Sequence, residues 1–258
     1  MTTDPTETYT FAAASFLNAA PLAAFLRDVD PRVQLFHGPP SELMAHVLSG
    51  RADAAMVPVF DYLNTPGIKM IDSLGIASCG DVRSVWLKCH RPMDQIRSVA
   101  PDAASRSSNA LARILLKKHF CLDVPMETPH DGQAPDATVV IGDRALCQPP
   151  GEFGNYDLAG IWTEMTSLPF LYAVWVYRDD NPKADELTRI AHAAKDAGLA
   201  SLEQLADLYA PKLALSRDEC LEYISDLLIY ELGPKEIEGM ELFASMLAEL
   251  DASEGRDK

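Results

Sequence analysis

The sequence is poor in cysteine and in basic residues, and both shortages exclude whole classes of protein. Its 258 residues include five cysteines, an odd number, widely spaced and without a CxxC pair. We therefore expect free thiols in a reducing compartment and no structural metal site. Lysine and arginine number 22 against 38 acidic residues, which gives a net charge of −16. This charge argues against a surface for nucleic acid or for an anionic membrane.

Long apolar runs and the common cofactor motifs are also missing. No run approaches the length of a membrane span, and the N-terminal segment MTTDPTETYT is polar and acidic, unlike a signal peptide. A cytoplasmic location is therefore expected. The patterns GxGxxG, GxxxxGK[ST], GxSxG and HExxH do not occur, and no cofactor is expected. A small molecule is the expected partner, and the oligomeric state is left open.

Short apolar runs alternate with helical patterns through the first two-thirds of the chain. This alternation is typical of βαβ units and predicts a largely parallel sheet with helices on its faces. A helix is predicted over Pro40–Ser49, with Gly50 as its stop. The predicted strands are Tyr9–Ala14, Val33–Phe36, Ala54–Val59, Met70–Ile76 and Val85–Cys89.

The same alternation starts again after Pro92 and gives way to a helical tail. A helix is predicted over Ser107–Phe120, and the aromatic and β-branched run Phe170–Tyr177 is interpreted as a returning strand. Residues 184–250 are expected to be entirely helical, with capping boxes at Ser201/Gln204 and Ser216/Glu219. Two further strands are predicted over Ser98–Pro101 and Thr138–Ile141.

These patterns together predict an α/β fold with two lobes. The first lobe is expected to combine residues 1–90 and 172–258, and the second to span residues 91–171. The chain would cross between the lobes twice. The cleft between two such lobes is the default place for a ligand.

Asn18 stands where the first predicted strand gives way to a helix, in the run Ser15–Leu22. Unpaired backbone N–H groups are found at helix starts, and an amide beside them suits an anion or a polar substrate. Asn is also a favoured N-cap residue. Both interpretations of Asn18 stay open on these residues alone.

A second candidate site is the run Ser105–Arg106–Ser107–Ser108 at the start of the predicted Ser107 helix. Three hydroxyls, the free N–H groups of the helix start and one guanidinium would hold a carboxylate or phosphate well. The alternative is an ordinary serine N-cap followed by a surface arginine.

Three further segments have an open role. Ser78 and Ser84 lie in the small-residue run Ile76–Val85, which suits either close approach of a ligand or a turn. Asp143 ends a strand, where a carboxylate acts as a base or anchors a loop. The aromatic residues of Trp162–Trp175 either wall a cavity or belong to the core.

The ordered set of these segments resembles the chorismate dehydratase family of the futalosine route to menaquinone. The family pattern reads FLNxxPL, PSxLxxxLxxGxxDxxxVP, IASxGxVxSV, SRTS, IGDxAL, YDLxxxWxxxTxLPFxxAxW and YxLGxxExxGLxxF. Ser107 replaces the usual Thr, and Met240 replaces the usual Leu. The matching segments are Phe16–Leu22, Pro40–Pro58, Ile76–Val85, Ser105–Ser108, Ile141–Leu146, Tyr156–Trp175 and Tyr230–Phe243.

The resemblance implies a cytoplasmic lyase with the two-lobed, type II-like fold of periplasmic binding proteins, an interlobe cleft and a helical C-terminal segment. It implies dehydration of chorismate to 3-[(1-carboxyvinyl)oxy]benzoate without a cofactor or a metal. Asn18 is expected to orient the substrate, and Asp143 is one candidate for the base; the substrate's own enolpyruvyl carboxylate is the other. The expected substrate-binding residues are Ser78, Ser84, Ser105, Arg106, Ser107 and Ser108.

Other functions fit the same fold. A sister enzyme forms 1,4-dihydroxy-6-naphthoate from a cyclised futalosine derivative, but its Cys-Pro-Asn-Asp run is replaced here by Phe16–Ala19. A carboxylate-binding protein without catalysis would carry a signal peptide or a lipobox. A ligand-sensing regulator would carry a helix-turn-helix, which this acidic sequence does not show.

Overall fold

The short apolar runs form two separate sheets in the computed structural model, which describes residues 7–127 and 134–254. Residues 1–6 of the polar N-terminal segment lie outside the described residues, as do residues 128–133 and 255–258. The chain divides into two units. Unit 1 combines Met1–Ile76 with Tyr172–Leu232, and unit 2 combines Ala77–Leu171 with Gly233–Lys258.

The sheet of unit 1 has six strands. They are β1 (Tyr9–Ala13), β2 (Val33–His37), β3 (Ala54–Pro58), β4 (Ile68–Ser78), β9 (Phe170–Arg178) and β10 (Ile229–Glu231). Their order across the sheet is β10-β4-β9-β3-β1-β2. β1 is parallel to β2 and β3, while the returning strand β9 is antiparallel to β3. All five residues of β3 are buried, because the sheet is covered on both faces.

Helices pack closely on this sheet. Gly198 in α8 (Ala184–Leu199) faces the carbonyl oxygen of Pro21 in α1 (Ala20–Ala23), where a Cβ would collide with the backbone. The core includes Trp175, whose ring meets that of Phe11 edge to face at a centroid distance of 5.4 Å. The helices of unit 1 are α1 (Ala20–Ala23), α2 (Leu26–Val29), α3 (Pro40–Leu48), α4 (Val59–Leu63), α8 (Ala184–Leu199), α9 (Leu202–Leu213) and α10 (Arg217–Glu222).

The sheet of unit 2 has four strands, in the order β6-β7-β5-β8. β6 is parallel to β7, whereas β5 is antiparallel to both β7 and β8. The strands are β5 (Val85–Cys89), β6 (Val99–Ala100), β7 (Ala137–Ile141) and β8 (Asn155–Asp157). The helices are α5 (Arg106–Lys118), α6 (Gly142–Cys147), α7 (Leu158–Thr166) and α11 (Pro234–Glu254).

The long helix α11 completes the core of unit 2. Its Phe243 contacts the rings of Trp162 and Phe170 at centroid distances of 6.3 and 5.2 Å. All three side chains are buried. Trp162 also donates to the carbonyl oxygen of Pro169 at 3.2 Å. Trp162, Phe170 and Trp175 therefore belong to the core, as one of the two interpretations predicted, whereas Tyr172 of the same segment is half-buried.

The predicted elements are largely confirmed, with three differences. The tail is not entirely helical, because β10 interrupts it and extends the sheet beside β4. Ser216 and Glu219 form a capping box, whereas Ser201 makes no side-chain cap bond. The expectation of a largely parallel sheet holds for β1–β3 but is wrong for unit 2, where β5 runs against both of its neighbours.

The unit boundaries differ in part from the predicted lobes. The crossing after residue 171 coincides with the expected one. The other boundary lies after Ile76 rather than after residue 90, because β5 pairs with β7 and β8. In addition, residues 233–258 belong to unit 2 rather than to the first lobe. No helix in the described parts of the chain is both long enough and apolar enough to cross a membrane.

Candidate functional site

One edge of the unit 2 sheet gathers most of the predicted site residues. Since β6, β7 and β8 run in one direction and β5 in the other, the carboxyl ends of three strands meet the amino end of β5. The starts of α5, α6 and α7 follow these three strands. The edge therefore combines helix N-termini with the segment that leads into β5, an arrangement suited to an anion.

The start of α5 carries three buried hydroxyls. Ser105 is the N-cap, and its Oγ accepts from the backbone N–H of Ser108 at 3.1 Å. The same Oγ donates to Ser108 Oγ at 2.9 Å. Ser105, Ser107 and Ser108 are only 8%, 2% and 3% exposed, whereas Arg106 is exposed. The structure therefore shows the N-cap serine and the surface arginine of the alternative interpretation. It also shows that the three hydroxyl-bearing residues are buried.

Asp102 fixes the loop that enters α5. Its buried carboxylate accepts from the backbone N–H of Ala104 at 2.8 Å and pairs with Arg144 of α6. The side chain of Asn109 bonds to both the N–H and the carbonyl of Asp102, each at 2.8 Å. These bonds fix the loop that leads into the serine cluster (Ser105, Ser107 and Ser108) and connect it to α6.

Ser84 and Asp143 lie on adjoining elements of the same edge. The backbone N–H of Gly142 donates to the carbonyl of Ser84 at 2.8 Å, just beyond the Val85–Ile141 strand pair. Gly142 has φ 63°, a left-handed conformation that favours glycine. Ser84 is 2% exposed, and Asp143 stands half-buried in the first turn of α6.

Asp157 is the site residue that sequence reasoning missed. Its carboxylate caps α7 by accepting from Ala159 and Gly160 and also accepts from the N–H groups of Val82 and Arg83. Burial raises the pKa of Asp157, and the hydrogen bonds from Arg83, Gly160 and Val82 act in the opposite direction. The signal was present, since Asp is a preferred N-cap residue before an apolar run.

Ser78 lies at the end of β4 and is fully buried. The chain then turns through Gly80, which has φ 93° and whose N–H donates to Thr163 Oγ1 of α7 at 2.9 Å. Residues 79–84, the β5 entry loop, are therefore attached to α7 both at Gly80 and through Asp157.

Asn18 belongs to unit 1 and is not an N-cap. It is the middle residue of a 3-10 turn, Leu17–Ala19, whose own cap position is Phe16. The following helix α1 has Ala19 at its cap position, without a side-chain bond. Within the described ranges, the half-buried amide side chain of Asn18 makes no hydrogen bond. It is therefore left with its donors and acceptor for another group.

A metal-binding cluster is not found among the described residues: no three His, Cys, Asp or Glu side chains come together suitably. The site offers hydroxyls, backbone N–H groups, carboxylates and amides. Such a set can orient a polar anion, stabilise negative charge that develops on it, and exchange a proton at Asp143.

Comparison with known proteins bears on the whole chain. A family model described as menaquinone biosynthesis matches residues 9–249. A chorismate dehydratase from Thermus thermophilus is 29% identical over 262 residues, covering 93% of this chain and 95% of that protein.

Solved structures agree on the fold. Protein AF1704 from Archaeoglobus fulgidus aligns with a TM-score of 0.71 at 16% identity, over 96% of this chain and 99% of that one. The Candida albicans CA3427 gene product has the generic periplasmic binding protein fold. It aligns with a TM-score of 0.64 at 10% identity, over 94% of this chain and 90% of that one. These likenesses confirm the predicted α/β fold class.

Proposed function

Because the chain belongs to the menaquinone biosynthesis family, we propose that it is a chorismate dehydratase that converts chorismate to 3-[(1-carboxyvinyl)oxy]benzoate and water. The observation that carries this proposal is the match across residues 9–249, together with the similarity to the Thermus thermophilus enzyme over 93% of the chain. The buried serine cluster at the start of α5 supplies the anion-binding chemistry that a dicarboxylate substrate needs.

The reaction removes the proton from C3 and the hydroxyl from C4 of the ring. The C–H electron pair enters the ring, the C–O bond breaks, and the departing hydroxyl takes up a proton to leave as water. Aromatisation of the ring drives the step, so the protein mainly positions groups and stabilises charge. Negative charge builds up on the ring carboxylate, which is conjugated to C3. Ser84, Ser107 and Ser108 are the proposed donors to that carboxylate.

Two groups compete for the role of base. The first is the enolpyruvyl carboxylate of the substrate itself, with the Asn18 amide orienting it or the departing hydroxyl. The second is Asp143, which stands half-buried beside the backbone bond between Gly142 and Ser84. We favour the substrate carboxylate, because a carboxylate held next to C3 needs no protein base.

Three more residues are proposed as substrate contacts. Ser105 is buried at the same sheet edge and Ser78 at the end of β4, and both have hydroxyls. Arg106 is exposed and would meet a substrate carboxylate from the surface. We place the reaction in the futalosine route to menaquinone and in the cytoplasm, which supplies chorismate in soluble form.

The decisive experiment mixes the purified full chain with chorismate and follows the formation of a benzoate-type aromatic product by absorbance and mass. Conversion that scales with protein concentration is expected. Tight binding of chorismate without any product would instead identify a binding protein of the same fold. A chorismate analogue without the enolpyruvyl carboxylate should bind without reacting, and its normal turnover would exclude the substrate carboxylate as base.

A further inference from the structure

Asp157 uses its two carboxylate oxygens for two different elements. Oδ1 accepts from the N–H groups of Ala159 and Gly160 at 3.0 and 3.1 Å, which caps α7. Oδ2 accepts from Val82 at 3.0 Å and from Arg83 at 2.7 Å, in the β5 entry loop. A helix cap needs only the first pair of bonds. The second pair is therefore available for another task.

The loop that Oδ2 holds contains a residue with an unfavourable backbone conformation. Arg83 has φ 61°, a left-handed conformation that is unfavourable for a residue with a side chain. Its N–H bond to Asp157 is the shorter of the two loop bonds. A strained residue persists when its surroundings fix it firmly, and the Asp157 carboxylate provides that fixation.

Ser84 follows Arg83 directly, and the strand β5 begins one residue later, at Val85. The carbonyl of Ser84 accepts from Gly142 N–H on one side, while the chain before it is held by Asp157 on the other. Ser84 is 2% exposed, and both attachments act on the backbone that carries its hydroxyl. Loss of the bonds from Val82 and Arg83 to Asp157 would remove one of these two attachments.

We propose that Asp157 is a positioning residue, which holds the Ser84 hydroxyl in place for the ring carboxylate of the substrate by anchoring the β5 entry loop to the start of α7. This inference rests on the proposed function, because it assigns Ser84 a substrate contact. It assigns no substrate contact to Asp157 itself.

The test separates the two tasks of the carboxylate with Asp157→Asn. The amide oxygen can still cap α7, since Asn is as good an N-cap as Asp. The amide NH₂, however, would face the N–H groups of Val82 and Arg83 as a second donor. We expect kcat/KM for chorismate to fall by about tenfold to a hundredfold. Most of the loss should lie in kcat, because charge develops on the ring carboxylate during the reaction.

A double-mutant cycle with Ser84→Ala tests whether Asp157 acts through Ser84. Asp157→Asn should have little further effect on kcat/KM once the Ser84 hydroxyl is gone. If the losses in kcat/KM of the two single variants instead multiply in the double variant, the inference is overturned. Asp157→Ser, which retains a cap oxygen but lacks the second acceptor, serves in its place if Asp157→Asn does not fold.

Ser216→Ala is the matched control, because it removes an N-cap from α10 in unit 1. It should lower the melting temperature without changing kcat/KM. If Asp157→Asn likewise lowers only the melting temperature, Asp157 is a cap and nothing more.

Amide hydrogen exchange makes the outcome independent of turnover. In Asp157→Asn the N–H groups of Val82 and Arg83 should lose protection, while those of Ala159 and Gly160 keep it. Unchanged protection at Val82 and Arg83 would contradict the anchoring even if activity falls. If the wild-type chain does not convert chorismate, the proposed function fails, and with it the role of Ser84, while the exchange result still decides whether Asp157 anchors the loop.

Discussion

Asn18 can be altered with little cost to the fold, since its amide takes no part in capping the 3-10 turn or α1. We expect Asn18→Ala to abolish most chorismate turnover while changing the free energy of unfolding by less than about 0.5 kcal/mol. Urea denaturation and the product assay measure the two effects. Asn18→Asp should also lose activity, because the added negative charge would repel a dicarboxylate bound as proposed. Retained turnover in both variants would remove Asn18 from the site.

Asp143 distinguishes the two candidate bases. Asp143→Asn keeps the size of the side chain but cannot take up a proton at the carboxylate. If the substrate carboxylate is the base, as proposed, turnover should stay within about tenfold of the wild type. A loss of about 10²- to 10⁴-fold, the usual contribution of a general base, would make Asp143 the base instead. Initial rates at saturating chorismate give the comparison.

Local chemistry decided which site residues could be predicted. The capping role of Ser105 was predictable, because an N-cap is recognised from its neighbours in sequence. Asp157 was not singled out, since its bonds to Val82 and Arg83 span 75 and 74 positions in the chain. The capping alternative for Asn18 is wrong because a 3-10 turn precedes α1 and moves the cap positions to Phe16 and Ala19.

At the scale of elements, Gly239 lets α11 approach the segment before β9. A Cβ at this position would collide with the carbonyl oxygen of Pro169. Although alanine favours helix, Gly239→Ala should therefore destabilise the protein by about 1–3 kcal/mol. Thermal unfolding checks this, with the exposed neighbour Glu238→Ala as the control that should change little. A stabilised Gly239→Ala variant would mean that α11 shifts without cost.

The segment between α2 and β2 is joined to α8 by a buried carboxylate. Asp30 accepts from Arg32 and from Arg189 of α8, and the hydrogen bond from Arg32 is the main cause that lowers its pKa to about 2. Because the folded pKa is depressed, this stabilisation is complete above pH 4 and is lost as the pH falls towards 2. Its size is on the order of 2 kcal/mol.

Urea unfolding at several pH values tests the role of Asp30. Asp30→Asn should be less stable than the wild type at pH 6, and the difference should shrink between pH 4 and 2. Asp180→Asn is the matched control, because Asp180 also pairs with an arginine, Arg178, but on the exposed surface. It should change little at any pH. A pH-independent effect of Asp30→Asn would show that packing, rather than charge, is lost.

Helices and strands were predictable where a signal within their own residues determines them. β5 was predicted with its observed bounds, Val85–Cys89, because an apolar run followed by a break is a local signal. β10 was missed, since three residues between helical patterns become a strand only by pairing beside β4. The parallel sheet expected for unit 2 is wrong for the same reason, because pairing partners are not encoded in periodicity.

For the whole molecule, the net charge of −16 opposes the approach of a doubly charged anion. Raising the ionic strength from about 0.01 M to about 0.15 M shortens the Debye length from about 30 Å to about 8 Å. We expect the KM for chorismate to fall by up to about tenfold over this range while kcat stays constant. Steady-state kinetics in potassium chloride measure both. A KM that rises with salt would show that local donors dominate the encounter.

The interleaving of the two units has a consequence for synthesis on the ribosome. Trp162 and Phe170 of unit 2 are made before the residues of unit 1 that follow β9, and Phe243 of α11 is made after them. At about 5–20 residues per second, the nascent unit 2 waits several seconds for the helix that covers its aromatic core. During that time the apolar surface is open to chaperones and to other nascent chains. We therefore expect the nascent chain to be most open to aggregation in the interval before α11 is made.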